Sequence, residues 1–187
     1  MMNGVQCGEW ISRLREGSVE AFDHLIECYG DRLYWHLRRI VVQHEEAEDM
    51  LQETFARAYL SIAKFRGETE SSLTAWLYRI ATNSAIKVLQ RRKKWVFSSL
   101  DSLRGDLLAT FEHELDPSAD EIVVRLQKAI LALPTKQRLV FNMRYYDELS
   151  FEQISQATGQ SVATLKTNYH YAVQKIREQV RVIEIDE

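Results

Sequence analysis

The sequence predicts an all-α chain of two small helical units, a helical bundle and a helix-turn-helix unit, joined by an acidic flexible linker. Three observations carry that prediction. Seven Gly and two Pro in 187 residues leave few of the turn signals that β-rich folds need. Apolar residues recur every three or four positions over long stretches. Charge is segregated: the net charge of -3 resolves into -5 over 1–70, +6 over 71–100, -6 over 101–121, +5 over 122–181 and -3 over the last six residues. Two basic islands flank an acidic bridge, a pattern suited to two separate polyanion contacts.

Gly17-Ser18 reads as the start of the first helix, with Phe22, Leu25, Ile26, Tyr29, Leu33, Leu37 and Ile40 as its apolar stripe. A second helix begins near Glu45-Glu46, where acids suit a helix N-terminus, and carries Ala47, Met50, Leu51, Phe55, Ala58, Ile62 and Phe65 until Arg66-Gly67 ends it. Glu68 to Ser72 reads as a loop, and Thr74 is the expected cap of a helix bearing Trp76, Leu77, Ile80, Ala81 and Val88 that ends in Arg91-Arg92-Lys93-Lys94. From Ser98 to Asp120 no sustained stripe is visible, while acids, Gly105 and Pro117 accumulate. The expected organisation is one unit over 1–97, a linker over 98–120 and a second unit over 121–187.

Beyond the linker, Ile122, Leu126, Ala129, Ile130 and Leu133 form a stripe, and Pro134 closes that helix and opens one ending near Tyr146. Ser150 with Gln153 has the form of a capping box ahead of Ile154 and Ala157. Thr158-Gly159 makes the turn into Ser161, and a long last helix carries Leu165, Tyr169, Ala172, Val173 and Ile176.

Several function classes lack their parts. No run approaches the roughly 20 apolar residues that span a bilayer, and Met1 to Trp10 has no signal-peptide pattern, so a cytoplasmic location without membrane insertion is expected. Cys7 and Cys28 belong to no CxxC or Cys/His array, and Cys28 is expected in the core. None of the five histidines follows a Glu by three residues, and there is no GxSxG, GxxxxGK[ST] or Gly-rich nucleotide loop. No metal, cofactor or catalytic activity is expected.

Three patterns suit binding. The short helix from Ser150, the turn at Gly159 and the helix from Ser161 have helix-turn-helix proportions, with Ser161, Thr164, Lys166, Thr167, Asn168 and His170 off the packed stripe; a plain αα-hairpin is the alternative. Residues 71–100 hold Arg79, Lys87 and Arg91 to Lys94 beside Trp76, Tyr78 and Trp95, as a strand needs for neutralisation and stacking; the alternative is a solvated basic tail. Asp49, Gln52 and Glu53 form a small acidic face, which either docks a partner or merely meets water.

Taken together, Ala47-Glu-Asp-Met-Leu-Gln-Glu-Thr-Phe55, Phe65-Arg-Gly67, Trp76-Leu-Tyr-Arg-Ile-Ala-Thr-Asn83 and the basic run resemble region 2 of bacterial RNA polymerase sigma factors. Leu133-Pro134, Gln137-Arg138, Phe141, Leu149-Ser-Phe-Glu-Gln-Ile154, Gly159 and Leu165-Lys166 resemble region 4, and the absence of further domains is similar to the extracytoplasmic-function group. The resemblance spans about residues 9 to 180. It implies a sigma-70-family subunit that binds core RNA polymerase, directs it to promoter DNA and helps to open it, with no covalent chemistry of its own. Asp49, Gln52 and Glu53 would dock on the β' clamp helices, and the region 4 unit on the β flap. Glu68, Thr69, Glu70, Ser71, Ser72 and Asn83, with Trp76 nearby, would take a flipped base of the minus-ten element. Lys87, Arg91 and Arg92 would hold the strand backbone. The helix from Ser161 would read the minus-thirty-five element, and an anti-sigma factor is expected by analogy. The sequence departs from the commoner pattern at Lys87, where Asp is frequent, and at Asn168 and Tyr171, where Arg is frequent. Arg makes bidentate guanine contacts that Asn cannot reproduce, so promoter preference does not transfer. A stand-alone helix-turn-helix regulator and a helical protein that sequesters polymerase are the competing readings.

Overall fold

A computed structural model describes residues 4–95, 100–113 and 120–181, and among them the secondary structure is helical with no strand. The helices are α1 (Gly4–Arg15), α2 (Val19–Val41), α3 (His44–Ser61) with a 3-10 turn (Ile62–Lys64), α4 (Glu70–Trp95), α5 (Leu100–His113), α6 (Glu121–Leu131), α7 (Thr135–Tyr145), α8 (Phe151–Thr158) and α9 (Val162–Arg181). None of the described helices is long and apolar enough to cross a membrane.

Helix α1 lies ahead of the expected first helix. Cys7, Trp10, Ile11 and Leu14 give it a buried stripe, and the Trp10 indole donates to the Ala21 carbonyl at 3.0 Å, tying it to α2. Gly17, at φ 81°, ends it: the Ser18 amide reaches back to the Arg13 carbonyl and the Gly17 amide to Leu14. Ser18 then caps α2 by accepting from the Ala21 amide. Cys28 is exposed and Cys7 is the buried thiol, which reverses the expectation for Cys28. Ile26 is likewise outside the core, because Leu25, Tyr29, Leu33, Leu37 and Ile40 already complete the stripe that α3 and α4 cover.

Thr74 does not cap α4. It is buried one turn inside, bonded to the Glu70 carbonyl and the Tyr29 hydroxyl, both at 2.8 Å, while the side chain of Thr69 accepts from the Ser72 amide and starts the helix. Part of the expected loop, Glu70 to Ser72, is therefore the first turn of α4.

The segment expected to lack a helix contains α5. Leu107 is buried, and Leu108 and Phe111 pack against the main core, at the spacing of one helix face. Burial of these side chains outweighs the cost of about 1 kcal/mol that Gly105 carries inside a helix. Glu112 of α5 pairs with Lys128 of α6 at 2.6 Å. Residues 96–99 and 114–119 of the expected linker lie outside the described residues.

Helices α6, α7 and α9 share a core of Ala129, Ile130, Leu133, Phe141, Ala172 and Ile176. Ile122, counted in the α6 stripe from sequence, points to solvent. Helix α8 packs along α4, so Leu149, Ile154, Ala157 and Leu165 join a core that also holds residues of α1 to α5 and α7. The two halves of the chain are thus pressed together.

Candidate polymerase and nucleic-acid interfaces

Helix α4 is covered on the faces that meet α2, α3 and α8, which leaves one polar strip in solvent. Arg79, Asn83, Lys87 and Arg91 are all exposed and follow one another by a turn, continuing from Trp76. From Trp76 to Arg91 the strip runs about 22 Å along the axis. Trp76 is half-buried, tilted against Phe65 at 5.0 Å between ring centroids. Glu68, Thr69, Glu70 and Ser71 are exposed where the strip begins, with Ser72 half-buried behind them. The strip thus joins the turn before α4 to the basic end of the helix. Arg92 and Trp95 lie on α4, but their side chains fall outside the described ones.

Gly67 fixes the approach to that turn. A Cβ there would sit 2.3 Å from the Phe65 ring and from Ser72 Oγ, closer than real side-chain contacts come. The side chain of Arg15 holds the neighbouring chain by donating to the Gly67 carbonyl.

Tyr78 was expected beside the basic groups as a stacking ring, and the structure corrects this. Its side chain is 0% exposed, edge-on to His36 at 4.8 Å, and burial followed by the nearby Asp147 charge pushes its phenol well above the ordinary tyrosine range. A ring enclosed by α2 and α4 cannot stack on a base.

On α3, Asp49 and Gln52 are exposed and Glu53 is half-exposed, paired with Arg57 at 2.5 Å. The face continues at helical spacing through Ala56 to Leu60, which is 81% exposed. Sequence reasoning did not select Leu60, although its distance from Asp49 and Gln52 in whole turns placed it on their side.

The helix-turn-helix geometry is complete. Ser150 accepts from the Gln153 amide at 3.1 Å, while the Gln153 side chain accepts from the Ser150 amide at 2.8 Å. Gly159, at φ 73°, closes α8, and Ser161 caps α9 by accepting from the Thr164 amide at 3.2 Å. Ser161, Thr164, Lys166, Thr167 and His170 are exposed, Asn168 is half-buried and Leu165 is buried, so one end of α9 offers hydroxyls, an amide, an ammonium and an imidazole to solvent. Tyr171 is half-exposed next to them. Among the described residues no group of three His, Cys, Asp or Glu side chains is placed to hold a metal ion.

Comparison with known proteins gives concordant matches for both halves. Residues 25–95 match the family model for Sigma-70 region 2, and residues 124–176 the model for Sigma-70, region 4. The ECF RNA polymerase sigma factor SigW of Bacillus subtilis is 31% identical over 179 residues, covering 91% of this chain and 95% of that protein. The RNA polymerase sigma-H factor of Pseudomonas aeruginosa is 30% identical over 184 residues, 94% of each. Among solved structures, CnrH in complex with the cytosolic domain of CnrY superposes with a TM-score of 0.68 at 19% identity, covering 94% of this chain and 97% of that one. The sigma factor RpoE of Bartonella quintana, in complex with the anti-sigma factor NepR, gives 0.68 at 18% identity over 90% and 100%. These two likenesses concern the fold.

Proposed function

The chain belongs to the sigma-70 family, as an RNA polymerase sigma factor of the extracytoplasmic-function type, and from that membership we propose how its surfaces divide the work of starting transcription. The factor binds core RNA polymerase, directs it to promoters and promotes strand opening. It works by binding, in the cytoplasm, and leaves the chemistry to polymerase. Residues 1–97 form the unit for polymerase and the minus-ten element, 98–120 the connection, and 121–187 the unit for the minus-thirty-five element.

The carrying observation is the exposed strip on α4. Glu68 to Ser72 and Asn83 surround the flipped base, and Lys87 and Arg91, with Arg92, neutralise the adjoining phosphates. Base stacking is worth roughly 1 to 3 kcal/mol, enough to offset the few kcal/mol needed to unstack a base. Among the described side chains along the strip, half-buried Trp76 is the aromatic surface available for it. Asp49, Gln52 and Glu53, extended by Leu60, dock on the β' clamp helices; an exposed apolar end beside a charged face suits a protein partner. Ser161, Thr164, Lys166, Thr167, Asn168 and His170 meet base edges and phosphates of the minus-thirty-five element, and the same unit rests on the β flap. An anti-sigma factor is the regulating partner, a reading supported by the fold shared with RpoE, which was solved in complex with the anti-sigma factor NepR.

The test replaces Asp49, Gln52 and Glu53 together by Ala. These positions carry little of the fold, since exposed substitutions change stability by about 0.5 kcal/mol or less and a surface ion pair contributes about 0–1 kcal/mol. The triple variant is expected to keep its helical spectrum while losing co-purification with core polymerase and run-off transcription from genomic fragments. Normal co-purification would remove the docking assignment, and a wild-type chain that starts no new transcript would remove the function.

A further inference from the structure

Where the two halves meet, a buried polar cluster joins them. Asp147, in the turn between α7 and α8, is 6% exposed, and both its carboxylate oxygens are taken by α2: Oδ2 accepts from His36 Nδ1 at 2.7 Å and Oδ1 from Arg39 Nη1 at 3.0 Å. His36 is fully buried, its Nε2 shared with the Thr82 hydroxyl of α4 at 2.9 Å. The Arg39 guanidinium also lies 4.3 Å over the Tyr146 ring. Glu148, next to Asp147, adopts φ 56°, and the turn is held by amides of Asp147 and Leu149 bonded to carbonyls of α7. Asp147 is thereby aimed at α2, with Asp31, Arg32 and Glu148 lining the adjoining cleft.

We propose that His36, Arg39 and Asp147 form a latch that holds the C-terminal half shut against the N-terminal half in the free factor, and that core polymerase must open it. This rests on the sigma-factor reading above. A compact chain of this length has a radius of gyration of roughly 16 Å. Elements centred near minus ten and minus thirty-five lie roughly 25 base pairs apart, about 85 Å of duplex at 3.4 Å each. The closed chain cannot reach both, so the α4–α8 contact must part.

The chemistry of the joint suits parting. The side-chain partners named for Asp147 belong to the other half, so its charge is compensated only while the joint is shut. On opening, carboxylate, guanidinium and imidazole all return to water. A buried ion pair of this kind adds little net stability over an apolar contact of the same shape, yet removing one member leaves an uncompensated charge that strongly disfavours the closed state. It therefore specifies one closed geometry while keeping the joint reversible. The apparent affinity for polymerase is then reduced by the fraction of chains that are open.

Donor and acceptor dyes on the exposed Cys28 of α2 and on Gln174→Cys of α9 report the opening in the full chain, with buried Cys7 left unlabelled under native conditions. Asp147→Asn and Asp147→Lys are each expected to lower transfer efficiency with helical content retained, the Lys variant most, raising the open fraction on the order of tenfold. Apparent affinity for core polymerase should rise by the same factor. Unchanged efficiency in both variants would overturn the latch, and should the Lys variant lose helix, the isosteric Asn variant decides. Open variants that bind core no more tightly would overturn the gating role. A wild-type chain that fails to bind core defeats the sigma-factor reading instead, while the dye measurement still judges the latch.

Discussion

At Gly67 the missing side chain is a steric requirement, and its backbone is not in the left-handed region. An added methyl would meet the Phe65 ring, which is buried and packed between Trp76 and the guanidinium of Arg15, and Ser72 Oγ, which donates to the Thr69 carbonyl at 2.7 Å. Neither neighbour yields freely, so Gly67→Ala should cost about 1–3 kcal/mol by overpacking, read as a lower denaturation midpoint. Since the displaced groups frame the turn that leads into the strip on α4, permanganate reactivity of the opened strand should fall, while polymerase binding through α3 is retained. Equal losses in binding and opening would mean that Gly67 serves the fold alone. Cys28 behaves differently: burial and the charges of Glu27 and Glu70 raise its thiol, so it alkylates slowly below pH 9, although it is accessible.

Among the elements, α5 is where local pattern and tertiary packing part company. Acids, Gly105 and Pro117 dominate residues 98–120, yet Leu107, Leu108 and Phe111 find the main core and make a helix. Leu107→Ala should destabilise by about 2–4 kcal/mol, as for other fully buried leucines, detectable by urea unfolding; a change under 0.5 kcal/mol would mean that α5 is a dispensable strut. Helices with strong end signals were legible without coordinates: Ser18, the Ser150–Gln153 box and Gly159 act as their residue types foretell. So were the exposed faces of α3, α4 and α9, because a 3.6-residue period separates wet from dry positions within one helix. What escaped was set by distant partners. Helix α1 has one short stripe, Thr74 looks like a cap until Tyr29 engages its hydroxyl, and Tyr78 reads as a basic-face aromatic until His36 and Asp147 enclose it. Leu60 was missed because an isolated apolar residue on a polar face carries no pattern of its own.

For the whole molecule, the segregated charge and the packed halves together say how promoter selectivity arises. Each polar face is modest: the strip on α4 has Arg79, Lys87 and Arg91 exposed along its described length, and the exposed polar end of α9 has Lys166. Specific duplex binding by either alone should be weak, with only a shallow salt dependence, because few phosphates are neutralised. Fixing both faces on polymerase raises the effective concentration of the second contact once the first is made, which can multiply affinity by roughly 100 to 10,000 without any new contact. That gain needs the halves apart, whereas in the free chain α8 lies along α4. X-ray scattering of the free factor should therefore give a radius of gyration near 16 Å, expected for a single compact body of this length. Bound to core enzyme with the polymerase contrast-matched, neutron scattering should show it larger by half or more, since the centres of two units placed tens of ångströms apart dominate the second moment. A free chain already as extended as the bound one would mean that polymerase selects among open molecules, and α4 and α8 would then meet only transiently in solution.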